Sequence, residues 1–350
     1  MLPLAFSTAT VPGARKGKIV KHSNEARNYR RRNRLNLHRT VAAAAILALL
    51  LGACSNKSST TTTSSTTTGA GATKTIGVTV QNLEAQFYQD MENGMKTQAA
   101  KYGYRVNFVD ANRDNAKQQA QVEDFISKKV DAIVITPFDS QAIGSAIVEA
   151  NKAGIPVFTA DIANTSGHGK VVAHIASDNV QGGMQAGKLM CAALPNKFGS
   201  VAIVDEPEVT SVQDRVKGFR QALAASCKSV TVVADIDAGG DRQKANSTMG
   251  DILQSHKDLR GVFGINDDSA LGALAAIKGA NAKGIVVIGY DASPEGQRAI
   301  RAGDMYGDPI QYPAQIGAKT IDALHDFFNG KTPQGRVTIN VGTFTKANAK

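Results

Sequence analysis

From Lys74 onward, short apolar runs alternate with longer stretches in which apolar residues recur every three or four positions. That alternation predicts buried strands separated by amphipathic helices. The first series places strands at Thr75–Val80, Arg105–Val109, Ala132–Ile135 and Ile155–Ala160, with helices at Phe87–Lys101, Ala116–Ser127 and Gln141–Lys152. Tyr88, Met91, Met95 and Ala99 form one stripe of the first helix. After Val171–Ile175 the pattern restarts, with strands at Val201–Val204, Val230–Ala234, Gly261–Ile265, Ile285–Ile288 and Met305–Ile310. Helices are expected at Gln181–Ala193, Val212–Ala225, Arg242–Ser255, Ala270–Lys278 and from Ser293, where Ser-Pro-Glu reads as a cap and first turn. A helix over Ile316–Phe328 and a strand over Val337–Thr343 follow. Helical connections of this length imply parallel sheets with right-handed crossovers. Two series with a break near residue 176 predict an α/β chain of two similar lobes, and the late return predicts more than one crossing between them.

Polar groups gather where these strands end. Ile285-Val286-Val287-Ile288 is a run of β-branched residues, as in a strand buried on both faces, and Gly289-Tyr290-Asp291 follows it. Ile155–Ala160 ends in Asp161 in the same way. Ligands of open α/β sheets sit beyond the carboxyl ends of strands, so two strands each delivering a carboxylate imply facing half-sites. Gln81 and Phe87-Tyr88 flank the first strand–helix junction, Thr136 closes a later strand, and Arg215 lies near the start of a helix. Asn266 with Asp267-Asp268 follows another strand, and Gln311 ends Met305–Ile310. Acids, amides, one guanidinium and aromatic faces suit a neutral polyhydroxylated ligand. Its hydroxyls would donate to Asp and accept from Arg and Asn while rings cover its C–H faces. A plainer reading stays open for each residue: the aspartates and Asn266 as helix caps or turn residues, Phe87 and Tyr88 as core.

The net charge of +10 points to nucleic acid until it is located. Ten of the 40 basic residues and one of the 30 acidic ones lie in residues 1–53, which leaves 30 against 29 over residues 54–350. The body of the chain is electrically balanced, so a polyanion-binding surface is excluded and the basic excess belongs to a targeting segment. Basic Tyr29–Arg34 precedes the apolar run Val41–Leu51, too short for a permanent membrane span, and Leu51-Gly52-Ala53-Cys54 resembles the lipobox of bacterial lipoproteins. That resemblance implies a signal peptide over residues 1–53 with a long basic leader, cleavage before Cys54, and a lipid on its sulfur that anchors the chain to the membrane. Residues 54–73, almost wholly Ser, Thr, Gly and Ala, then read as a flexible tether. An exported chain meets oxidising conditions, which leaves Cys191 and Cys227 as a disulfide or as two buried thiols.

No G-x-G-x-x-G follows a strand, and no G-x-x-x-x-G-K-[ST] or G-x-S-x-G is present. The six histidines lack metal-ligand spacing. Asp110–Asp114 opens like a calcium loop but lacks its later glycine and glutamate, and reads as a turn. Nothing joins a nucleophile to a base, so no enzyme, cofactor or metal is expected.

From about Lys74 to Thr345 the chain resembles the ribose-binding-like, sugar-binding proteins of bacterial ABC importers. The resemblance rests on Asp131–Ser140 (DAIVITPFDS), Gly154–Asp161 (GIPVFTAD), His174–Asn179 (HIASDN), Arg215–Phe219, Asn266–Leu274 (NDDSALGAL), Val287–Gly296 (VIGYDASPEG) and Gln311-Tyr312-Pro313. It implies a type I periplasmic binding fold: two doubly wound, Rossmann-like lobes joined by a three-strand hinge. The expected division is 74–176 with 312–336 and 177–311 with 337–350. It further implies a monomer outside the cell membrane that closes on a pentose, hexose or polyol and delivers it to an ABC permease. Phe87, Tyr88, Asp161, Arg215, Asn266, Asp291 and Gln311 occupy the family's ligand-contacting positions. Departures from the pattern are Ile162 for arginine, Thr136 for asparagine, Gly239-Gly240 for an aromatic, and Ala85-Gln86 for Asn-Pro. They leave a roomier pocket, less polar on one wall than ribose needs. A sensory receptor for a furanose-like signal and a LacI-like regulator share the fold. The regulator needs a helix-turn-helix before residue 74, where a lipobox and tether stand instead.

Overall fold

The structure is a computed structural model that describes residues 73–349. The leader, Cys54 and all of the tether but Thr73 lie outside the described residues. The chain runs β1 (Thr75–Val80), α1 (Gln86–Lys101), β2 (Arg105–Asp110), α2 (Asn115–Ser127), β3 (Ala132–Ile135), α3 (Gly144–Lys152), β4 (Val157–Ala160) and β5 (Val171–Ser177). It continues through α4 (Asn179–Ala193), β6 (Phe198–Asp205), α5 (Thr210–Ser226), β7 (Ser229–Asp237), α6 (Arg242–Ser255), β8 (Leu259–Gly264), α7 (Asp267–Gly279) and β9 (Val286–Ile288). It ends in α8 (Pro294–Ala302), β10 (Gly307–Ile310), α9 (Pro313–Phe328), β11 (Arg336–Ile339) and β12 (Gly342–Thr345).

Two six-stranded sheets result, in the orders β11-β5-β4-β3-β1-β2 and β12-β10-β9-β8-β6-β7. The two orders are the same pattern repeated, and every pairing is parallel except β10 with β12. This is the two-lobed, doubly wound α/β architecture. In each sheet the order reverses at the first strand of the lobe (β1, β6), so the mouths of β1 and β3, and of β6 and β8, are the switch points where such sheets hold ligands. The chain passes between sheets after β5, β10 and β11.

Each sheet is buried on both faces. The stripe Tyr88, Met91, Met95 and Ala99 of α1 packs with Ile316 and Leu324 of α9 on one face of the first sheet, and Val122, Phe125 and Ile147 cover the other. In the second lobe α4 and α5 enclose Met190, Phe219 and Leu223, while α6 and α7 enclose Met249, Ala273 and Ile277 across the sheet. Helix starts follow local chemistry. Asp114, Asp178, Asp241, Asn266 and Ser293 each accept a backbone N–H two or three residues on, as N-cap side chains do.

One element departs from the pattern. The single strand expected over Val337–Thr343 is two: β11 pairs with β5 in the first sheet, and β12 with β10 in the second. Val337, Thr338 and Ile339 therefore lie in the first lobe rather than with 337–350. A run of alternating residues looks alike whether one sheet or two receives it. Among the described residues no helix is long and apolar enough to cross a membrane.

Cys191, near the end of α4, and Cys227, just past α5, are bonded across 36 residues with Cα atoms 5.7 Å apart. Closing a loop of that length restricts the unfolded chain by about 4 kcal/mol. The Cys191→Ser/Cys227→Ser variant should lose stability of that order in urea unfolding. An unfolding midpoint that neither reductant nor the double substitution moves would show that the bond contributes nothing.

Candidate functional site

A cavity of about 340 Å³ lies where the carboxyl ends of both sheets converge. Eight of the nine expected residues line it: Gln81 after β1, Phe87 and Tyr88 in the first turn of α1, Asp161 after β4, Arg215 on α5, Asn266 after β8, Asp291 after β9 and Gln311 after β10. Residues far apart in the chain meet here because each follows a parallel strand, and parallel strands point their carboxyl ends the same way.

Asp161 (φ 64°) and Asp291 (φ 106°) adopt left-handed backbone that non-glycine residues seldom take. Neither caps a helix; Ser293 caps α8, accepting from the Gly296 amide at 3.2 Å. Strain held at two strand mouths that face one cavity is the kind concentrated at binding sites. Arg215 is fixed on three sides. Its Nε donates to Asn179 Oδ1 (2.9 Å), its Nη1 to the Ile265 carbonyl (2.8 Å), and its guanidinium lies 4.1 Å from the Tyr290 ring centre. Tyr290 reaches this position because residue 182 of α4 is glycine, where a Cβ would fall on its hydroxyl. Asp291 Oδ1 accepts from Gln311 Nε2 at 2.7 Å. Asn266 both caps α7, accepting from the Ser269 amide at 2.7 Å, and lines the cavity. On the facing wall the Tyr88 hydroxyl donates to Gln81 Oε1 (2.7 Å), and Gln81 Nε2 donates to Glu206 of the other lobe.

The periplasmic binding protein domain, as a sequence family, matches residues 76–332. The chain belongs to the periplasmic binding protein family. It is 35% identical to the ribose import binding protein of Escherichia coli over 281 residues, covering 79% of this chain and 92% of that protein. It is 36% identical to the ribose import binding protein of Bacillus subtilis over 268 residues, 75% of this chain and 85% of that protein. An ABC transporter solute binding protein of Bacillus halodurans, solved with bound myo-inositol, superposes with a TM-score of 0.73 at 30% identity over 81% of this chain and 98% of that one. This periplasmic binding protein is thus an extracytoplasmic solute-binding protein and not an enzyme.

Thr136 is the expected residue that does not line the cavity. Gln118 of α2 closes over the end of β3, donating to the Thr136 carbonyl at 3.0 Å and accepting from the Phe138 amide at 3.0 Å, which leaves Thr136 fully buried one layer behind the wall. Glu206, Asn82 and Arg113 are among the lining residues that were not foreseen. Glu206 follows strand β6 as Asp161 follows β4, and Asn82 stands two residues past β1 as Asn266 does past β8, so the same strand-end signal marks both. Arg113 sits in the Asp110–Asp114 turn, with Asn112 and Arg113 left-handed, yet its guanidinium reaches the Gly239 and Gly240 carbonyls of the other lobe. No local pattern announces a contact between lobes.

Burial dominates the electrostatics of this binding protein's cavity. It raises Asp161 to about 6 against the pull of Arg215, and Glu206 to about 7 against Arg113 and Gln81. It raises Asp291 to about 8, with Arg215 opposing and Asp267 adding to the shift. Burial also pushes the Tyr88 and Tyr290 hydroxyls up, so both stay protonated. A carboxyl raised in the fold keeps a proton that the unfolded chain has released, so stability is lost as pH climbs through the folded values. His174, held down to about 4 by burial, works in the opposite sense only below its usual 6.5. The melting temperature of the ligand-free protein should therefore fall between pH 6.5 and 8.5, and Asp291→Asn should flatten the decline. A melting temperature constant over that range would mean that these carboxyls are solvated.

Proposed function

We propose that this protein is the solute-binding component of an ABC importer for a sugar or polyol, tethered through a lipid on Cys54 and acting as a monomer that hands its cargo to a membrane permease. The observation that carries the reading is the pair of left-handed aspartates, one from each lobe, lining a single cavity with a buried guanidinium stacked on the Tyr290 ring. Carboxylates and a guanidinium make charge-assisted hydrogen bonds to hydroxyls, and Phe87, Tyr88 and Ile162 offer apolar surface to C–H faces. The ligands named for the relatives, ribose and myo-inositol, are of this chemical kind.

Closure is the proposed mode of capture. The lobes already touch across the mouth: the Ser140 amide donates to the Glu208 carbonyl (3.1 Å), the Thr210 amide to Ser140 Oγ (3.1 Å) and the Ala163 amide to Thr210 Oγ1 (3.1 Å). These contacts are few and polar, so water replaces them at little cost when the lobes part about the three crossings. A ligand that touches both walls binds the closed form better and holds it.

A thermal-shift screen of pentoses, hexoses and polyols tests the reading. A true ligand at 100 times its Kd adds about 2.7 kcal/mol. Asp291→Ala should then weaken binding by roughly 2–3 kcal/mol in calorimetry, the worth of a hydrogen bond to a charged group. Undiminished affinity in that variant would remove Asp291 from the site.

A further inference from the structure

The cavity's charges do not balance. Seven acidic residues line it, Asp161, Glu206 and Asp291 at three strand ends among them, against four arginines, Arg113, Arg215, Arg242 and Arg298. Arg215 is already engaged with Asn179 and the Ile265 carbonyl, and Arg113 with the Gly239 and Gly240 carbonyls. The wall next to Asp161 is Ile162, apolar and buried. On the rim Arg242 is taken up by Glu295 (2.9 Å) and Asp268 (2.8 Å), and Arg298 stands near the same Glu295. Beside Asp291, burial pushes the Asp267 and Asp308 carboxyls up, and neither adds positive charge.

Of the four unmet polar atoms on residues lining the cavity, three are acceptors (Asp161 Oδ1, Asp267 Oδ1 and Gln311 Oε1) and one, Arg113 Nε, is a donor. Asp161 is 3% exposed and Gln311 4%, yet Asp161 Oδ1 and Gln311 Oε1 are buried with no partner among the described residues. Both residues line the cavity. Both atoms are acceptors waiting for donors. A buried acceptor left unmet is costly, so the occupant must bring N–H or O–H groups to both. Hydroxyls would satisfy the acceptors but would leave the buried carboxyls protonated. An ammonium brings three donors and a positive charge beside which they ionise.

We infer that the physiological ligand is an aminated polyol or sugar whose protonated amine sits among Asp161, Glu206 and Asp291. The inference rests on the sugar-or-polyol reading above and narrows it. The raised carboxyls agree with it: in the empty closed cavity they hold protons, and an ammonium beside them would let them ionise.

The test is calorimetry on the purified protein at pH 6.5 with glucosamine, galactosamine and an aminodeoxy-inositol, each beside its unaminated parent and, for glucosamine, its N-acetyl derivative. An aminated member should bind about 10–100-fold tighter than its parent, the worth of one charged hydrogen bond, and acetylation should erase that gain. The ratio of aminated to parent affinity should rise from pH 5.5 to 7, as the carboxyls ionise, and should shrink in Glu206→Gln. A parent polyol that binds as tightly as its aminated form, or an N-acetyl derivative that keeps the gain, overturns the inference and leaves the sugar-or-polyol reading standing. Failure of every parent and every aminated probe to bind overturns that reading, and the inference with it.

Discussion

A guanidinium taken out of water has to find partners, and Arg215 finds them on several elements at once. Its bonds to Asn179 at the start of α4 and to the carbonyl after β8, and its stacking on Tyr290 after β9, tie together three separate stretches of the second lobe. Burying an unpaired charge costs several kcal/mol, so these elements are held to positions in which Arg215 is satisfied. Its remaining electrostatic partners, Asp161 and Asp291, come from different lobes. The same charge that organises one wall therefore draws the opposite wall toward it.

The fold serves this arrangement by repetition. Both sheets follow the same strand order, and both present their switch point to the same space. Neither lobe has a complete site. The first brings Gln81, Phe87, Tyr88 and Asp161, and the second Glu206, Arg215, Asn266 and Asp291. The two halves meet across a small set of polar contacts at the mouth and along the walls of the cavity. A covalent bond, by contrast, lies well inside the second lobe, joining the α4 and α5 layer that carries Asn179 and Arg215.

Much of this was legible along the chain. Strand and helix alternation comes from hydrophobic periodicity, and the cap at Ser293 from its own side chain, both local properties. The strand-end rule then found Asp161, Asp291, Asn266 and Gln311 without coordinates, because a parallel sheet gathers whatever follows its strands. Thr136 shows where the rule fails: a strand end is only as exposed as its neighbours allow, and Gln118 comes from another helix. Glu206 was within reach of the same rule. Arg113 was not, since its role depends on a carbonyl pair more than a hundred residues away.

The sequence by itself determined the elements, their order, the presence of two α/β series and most of the polar groups at the strand mouths, since each depends on residues within a few positions of one another. Only the tertiary structure decided which sheet receives β11 and β12, that α4 and α5 share a disulfide, and that acids outnumber guanidiniums around one cavity. Those are matters of distance between segments remote in the chain, and charge balance in a closed space has no signature in the order of residues.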